Sequence, residues 1–154
     1  MTERQYKALL NFTWNECDIQ GRLLRDQIEI LNYNFMWRLD LAITYAKMHY
    51  GRIASQFKIY DFTFDKHNPT GYHPKGRASD GAFWKLDLFQ SFLIFEKWRF
   101  GGIGLYPHTH PDKILHIDDR NYFRASRWVR SEKEYIYSPI FFEKQLKIEG
   151  SLEC

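Results

Sequence analysis

Gly101 to Asp118 read Gly-Gly-Ile-Gly-Leu-Tyr-Pro-His-Thr-His-Pro-Asp-Lys-Ile-Leu-His-Ile-Asp. The glycines at 101, 102 and 104 break the chain, and residues 103–106 and 114–118 then form two apolar runs suited to strands. A polar loop containing Pro107, His108, His110 and Pro111 joins them. Side chains alternate along a strand, so His116 and Asp118 share one face while Leu115 and Ile117 share the other.

Working outward, residues 86–98 carry Leu88, Phe92 and Phe95 along one helical face, and 77–83 is a run of small residues fit for a short strand. Residues 57–64 are aromatic and include Ile59 and Thr63, which predicts a strand leading into the turn formers Asn68-Pro69-Thr70-Gly71. Over 37–50, Leu39, Ala42, Ile43 and Ala46 make a stripe of helical period, with Gly51 where a C-cap is expected. Ile19, Leu23, Leu24, Ile28 and Leu31 recur near the same spacing, which predicts a further helix over 18–31. Mixed helices and strands with short connections give an α+β fold, a small mostly antiparallel sheet with packed helices. There are no repeats, low-complexity tracts or Ser/Pro-rich linkers, so the 154 residues form a single domain.

Composition narrows the function classes. The 22 basic and 19 acidic residues are interspersed, and the net charge is only +3. That balance excludes nucleic acid as a favoured partner and leaves mild attraction to anionic surfaces. Aromatic residues make up 18 %, enough for a heavily aromatic core or an aromatic groove. Cys17 and Cys154 lie near opposite ends, so neither a structural disulfide nor a cysteine metal site is expected. The N-terminus lacks an apolar signal region and no apolar run spans a bilayer. Synthesis in the cytoplasm without a signal peptide is the expectation.

The chemistry lies in Gly71-Tyr72-His73-Pro74-Lys75-Gly76-Arg77-Ala78-Ser79-Asp80. Pro74 and Gly76 let the backbone reverse, after which a short strand can return the Asp80 carboxylate beside the His73 imidazole. His116, on the polar face of its strand, is a third group for the same site. Two imidazoles and one carboxylate are a ligand set for catalytic Zn²⁺, which keeps a fourth position for water and lowers its pKa toward 7. Such a site hydrolyses an amide.

His73, Gly76, Ala78 and Asp80, followed by His116, Asp118 and Arg120, resemble the zinc D-Ala-D-Ala carboxypeptidase family. That family includes phage L-alanyl-D-glutamate endolysins and shares a metal-site fold with Hedgehog signalling domains. Gly101-Gly102-Ile103-Gly104-Leu105-Tyr106-Pro107 resembles the segment preceding the last ligand in a small single-domain branch, and Arg127-Trp128 resembles its ending. The resemblance covers roughly Leu39 to Trp128. It implies a peptidase-like core over about 36–128, with a helical N-terminal extension (1–35) and a C-terminal extension (129–154).

The resemblance implies metal ligation by His73, Asp80 and His116, and a bacterial cell-wall peptide as substrate. Relatives place a general base a few positions before the final ligand, where this chain has Lys113. The carboxylates left for the base are Asp118, facing the site, and Asp112 in the loop; Asp118 has the alternative of orienting His116 or holding an arginine. Arg77 is expected to contact substrate or pair with Asp118. The family's upstream Ser-Gly-Tyr-Arg is replaced by Ile59-Tyr60-Asp61-Phe62-Thr63, without the arginine. Three functions follow: a zinc peptidase acting at the bacterial wall, as an endolysin or carried in a phage virion; a virion or tail structural protein retaining a degenerate peptidase fold; or a zinc-stabilised module that binds wall peptides without cutting them. In the second, residues 1–35 and 135–154 would contact partner subunits.

Overall fold

In the computed structural model, which describes residues 1–53, 56–62, 70–108 and 113–150, Gly102–Tyr106 and Ile114–Asp118 form an antiparallel pair with Gly104 opposite His116. Around this pair the described residues build an open six-stranded sheet: β1 (Phe57–Asp61), β2 (Ala78–Phe83), β3 (Gly102–Tyr106), β4 (Ile114–Asp118), β5 (Ser126–Arg130) and β6 (Tyr135–Ile136). Their order is β1-β2-β4-β3-β5-β6, and every neighbouring pair is antiparallel except β3 and β5. Four helices complete the α+β fold: α1 (Glu3–Lys7), α2 (Tyr33–Tyr50), α3 (Leu88–Lys97) and α4 (Pro139–Gly150). Among the described residues no helix is long and apolar enough to cross a membrane.

Strand alternation divides the sheet into two chemically different faces. On one, Phe83, Ile103, Leu105, Leu115, Ile117 and Val129 join Leu39, Ile43, Ile94 and Phe95 of the helices in the main core. Aromatic rings fill its centre, with Phe95 5.6 Å from Phe83 and 5.4 Å from Phe100. Helix α2 starts earlier than its apolar stripe because the Asn32 side chain accepts the Phe35 N–H at 3.1 Å. Helix α3 is opened by a capping box of Asp87 and Gln90. Arg127 ties β5 to α3, its Nε donating to Glu96 at 3.0 Å.

The helix expected over 18–31 does not form; only a 3-10 turn at Leu24–Gln27 is helical there. The Asp18 carboxylate instead accepts the N–H groups of Gln20 (2.9 Å) and Arg22 (3.0 Å), and Gly21 takes φ +75°. Local side-chain bonding of this kind offers the backbone an alternative to helix. Ile19 then donates its N–H to the Ile59 carbonyl at 2.9 Å, covering the outer edge of β1. Leu24 and Leu31 are still buried, so the apolar spacing served the core without a helix.

Both ends of the described chain contribute to the same core as the central part: Tyr6, Leu9 and Phe12 from one, Phe142 and Leu146 from the other. The fully buried Asp40 anchors the first, accepting the N–H groups of Leu10 (3.0 Å) and Asn11 (2.7 Å). Residues 63–69, including the end of the expected strand and Asn68-Pro69, lie outside the described residues, as do His67, His110 and Cys154.

Candidate metal centre

The second face of the sheet carries the polar groups. In register across it, Asp80 of β2 stands beside His116 of β4, His116 beside Gly104 of β3, and Gly104 beside Trp128 of β5. One step along, Ala78, Asp118, Gly102 and Ser126 form a parallel row. His73 reaches this face from a 3-10 turn, His73–Lys75, closed by Gly76 at φ +63°. Only glycine fits there, since a Cβ would run into the carbonyl of Ile30. The Gly76 carbonyl accepts the Asn32 N–H at 3.0 Å, seating the turn against the start of α2.

Three atoms converge. His73 Nε2 lies 3.1 Å from His116 Nδ1 and 3.4 Å from Asp80 Oδ1, and His116 Nδ1 lies 2.8 Å from Asp80 Oδ1. The outer edge of each ring fixes which nitrogen bears a proton. His73 Nδ1 is 2.7 Å from the Phe62 carbonyl, which only accepts, so His73 donates there and Nε2 carries the lone pair of the neutral ring. His116 Nε2 is 3.2 Å from the Asp118 carboxylate, so Nδ1 carries the lone pair. Two lone pairs and a carboxylate oxygen thus point at one position, and only a cation or a shared proton resolves their repulsion. Tetrahedral ligands about 2.1 Å from a metal stand about 3.4 Å apart, close to the three separations observed. The group of His73, Asp80 and His116 can therefore hold a metal ion, and these are the ligands that the sequence resemblance implies.

The electrostatics agree. Burial disfavours the charge on His116, yet its hydrogen bonds to Asp118 and Asp80 outweigh this and raise its pKa to about 9. Burial likewise opposes ionisation of Asp80, but His116 and His73 hold its carboxyl well below the usual range. Without metal, a proton on His116 Nδ1 takes the position between the three acceptors. Stability from that proton is complete below pH 6.5 and is lost as pH rises through about 9. Stability from Asp80, whose pKa is lowered from 3.8, is complete above about pH 4 and lost as pH falls. The chelator-treated protein is thus expected to lose up to about 3 kcal/mol between pH 6.5 and 9, seen as a falling Tm. Metal-loaded protein should hold its Tm over that interval. A chelator-treated Tm that stays level there contradicts the assignment of His116.

Asp118 is 0 % exposed and both its oxygens are taken. Arg120 Nε donates to them at 2.8 and 3.0 Å, and His116 Nε2 meets Oδ2. It sits on the far edge of the imidazole from the convergence point, the geometry of the second role expected for it, orienting His116 and holding an arginine. Asp112, the other candidate for the general base, lies outside the described residues. The partner of Asp118 is Arg120; Arg77 pairs with Asp119 at 2.8 Å. Alternation explains this: Ala78 stands opposite Asp118, which puts Arg77 and Asp119 together on the other face.

Sequence reasoning gave Trp128 and Tyr106 no role beyond resemblance, yet both line the centre. The Trp128 and Tyr106 rings lie 5.2 and 6.4 Å from His116. Gly102 and Gly104 make this packing fit: a Cβ at Gly102 would overlap the Asp118 carboxylate, and one at Gly104 the Trp128 indole. No protein-family model, curated protein or solved structure matches the chain.

Proposed function

We propose that the chain is a zinc-dependent peptidase that hydrolyses peptide bonds of bacterial peptidoglycan, working as a phage endolysin or from a virion or tail. The observation that carries this reading is the convergence of His73 Nε2, Asp80 Oδ1 and His116 Nδ1, with both imidazoles fixed by outer partners. Three protein ligands of this type suit a catalytic zinc, which when bound supplies Lewis-acid polarisation of a carbonyl and a lowered water pKa. Asp118, held by Arg120, keeps the His116 ring in place through Nε2. Asp112, four positions before His116, is the carboxylate that takes the proton of the attacking water and returns it to the leaving amine. The sequence resemblance to D-Ala-D-Ala carboxypeptidases and phage endolysins supplies the wall peptide as substrate.

A second reading, a virion or tail structural protein with a degenerate site, is favoured by one observation. Asp118 is committed to Arg120 and His116, which leaves only the sequence position of Asp112 for the base. Purified peptidoglycan separates the two. Release of new amino and carboxyl ends that stops with a chelator and resumes with zinc supports the peptidase. Stoichiometric zinc without release supports the structural protein.

A further inference from the structure

The metal centre leaves one polar group unexplained. Trp128 is 3 % exposed, and among the described residues its Nε1–H has no acceptor in hydrogen-bond geometry. Buried N–H groups are almost always paired, because desolvating one without a partner is expensive. The direction of this donor follows from the strand register. Gly104 lies between His116 and Trp128, and the indole edge bearing Cε2 and Nε1 lies directly above Gly104. The orphan N–H therefore leans from β5 across β3 toward the ligand His116. The Tyr106 hydroxyl interacts with the indole, yet Nε1 remains without a partner of hydrogen-bond geometry among the described residues.

The ring is also held in place. The Arg120 guanidinium lies 5.1 Å from its centre and the Tyr137 ring 5.7 Å away. A pre-set donor of this kind costs no reorganisation when an acceptor arrives. Trp98 also has an unpaired Nε1, but it caps α3 at a half-buried position on another part of the fold.

We propose that Trp128 Nε1–H is a substrate-binding donor that receives the carbonyl oxygen of the peptide bond held at the metal centre. The proposal rests on the metallopeptidase reading and adds the subsite that orients the bond. Water adds to the carbonyl carbon, the carbonyl oxygen gains negative charge, the C–N bond then breaks and the amine leaves with a proton. The indole N–H is aimed where that charge grows. Its ligand class is any small acyl group presenting an oxygen above Gly104.

The test uses the full zinc-loaded chain with ¹⁵N-labelled indoles and acetohydroxamate as the probe. The Trp128 N–H resonance, assigned through its contacts to Gly104, should move downfield and exchange more slowly when the probe binds, while that of Trp98 stays put. Trp128→Phe keeps the aromatic packing and removes the donor; it should keep its zinc and bind the probe about tenfold more weakly. An unmoved Trp128 resonance, equal probe affinity in Trp128→Phe, or loss of zinc from that variant each overturns the proposal. A Trp128 shift in wild-type protein that releases no ends from peptidoglycan removes the peptidase reading alone and leaves the oxygen subsite standing.

Discussion

Replacing His116 by alanine is expected to lower bound zinc from about one ion per chain to less than about a tenth after dialysis. Three protein ligands hold the ion in this assignment, and the variant retains only His73 and Asp80, which approach each other no closer than 3.4 Å. The partner of His116 on its outer edge does not compensate, because Asp118 remains bound to Arg120 on the far side of the vacated imidazole. His73→Ala and Asp80→Ala should behave the same way. Elemental analysis of the dialysed proteins decides the matter: one zinc per chain in any of the three variants removes that residue from the ligand set.

The second large effect is expected from Asp118→Asn. The side chain keeps its shape but loses its charge, leaving the Arg120 guanidinium and the His116 Nε2–H without their carboxylate. Removing one partner of a buried pair is costly because the other charge stays uncompensated. Arg120 retains some access to water, so the expected loss is about 3 kcal/mol, or roughly 6–12 °C in Tm for a domain of this size. Zinc affinity should fall about 10–100-fold, the usual effect of removing a ligand's outer partner. Asp119→Asn is the control. Its partner Arg77 is 41 % exposed, so that variant should lose less than about 1 kcal/mol and bind zinc normally. Equal behaviour of the two variants would strip Asp118 of its orienting role.

Much of the site could be read locally. Four residues, Leu115 to Asp118, alternate, and Leu115 and Ile117 entered the core while His116 and Asp118 took the other face. Pro74 and Gly76 likewise foretold a reversal that brings His73 back to Asp80. What could not be read depends on non-local pairing or on competing local bonds. The role of Trp128 arises only because β5 lies parallel to β3 and lays its indole over Gly104. Arg77 pairs with Asp119 and not with Asp118, one of the two partners expected for it, because the face it occupies depends on where β2 pairs with β4. The helix over 18–31 failed because the apolar spacing was real but Asp18 and Gly21 dictated a turn.

The two-faced sheet has a consequence for quality control during folding. His116 sits on a strand whose alternate residues Leu115 and Ile117 are core apolar groups, so a slip of one residue between β2 and β4 would turn the ligand inward and Leu115 or Ile117 outward. Metal capture is then a checksum on strand alignment: a chain that has collapsed with the wrong pairing has no convergence point to offer. An ion present during refolding should therefore act as a template, drawing misaligned chains toward the native pairing and marking the correctly assembled fraction by its metal content.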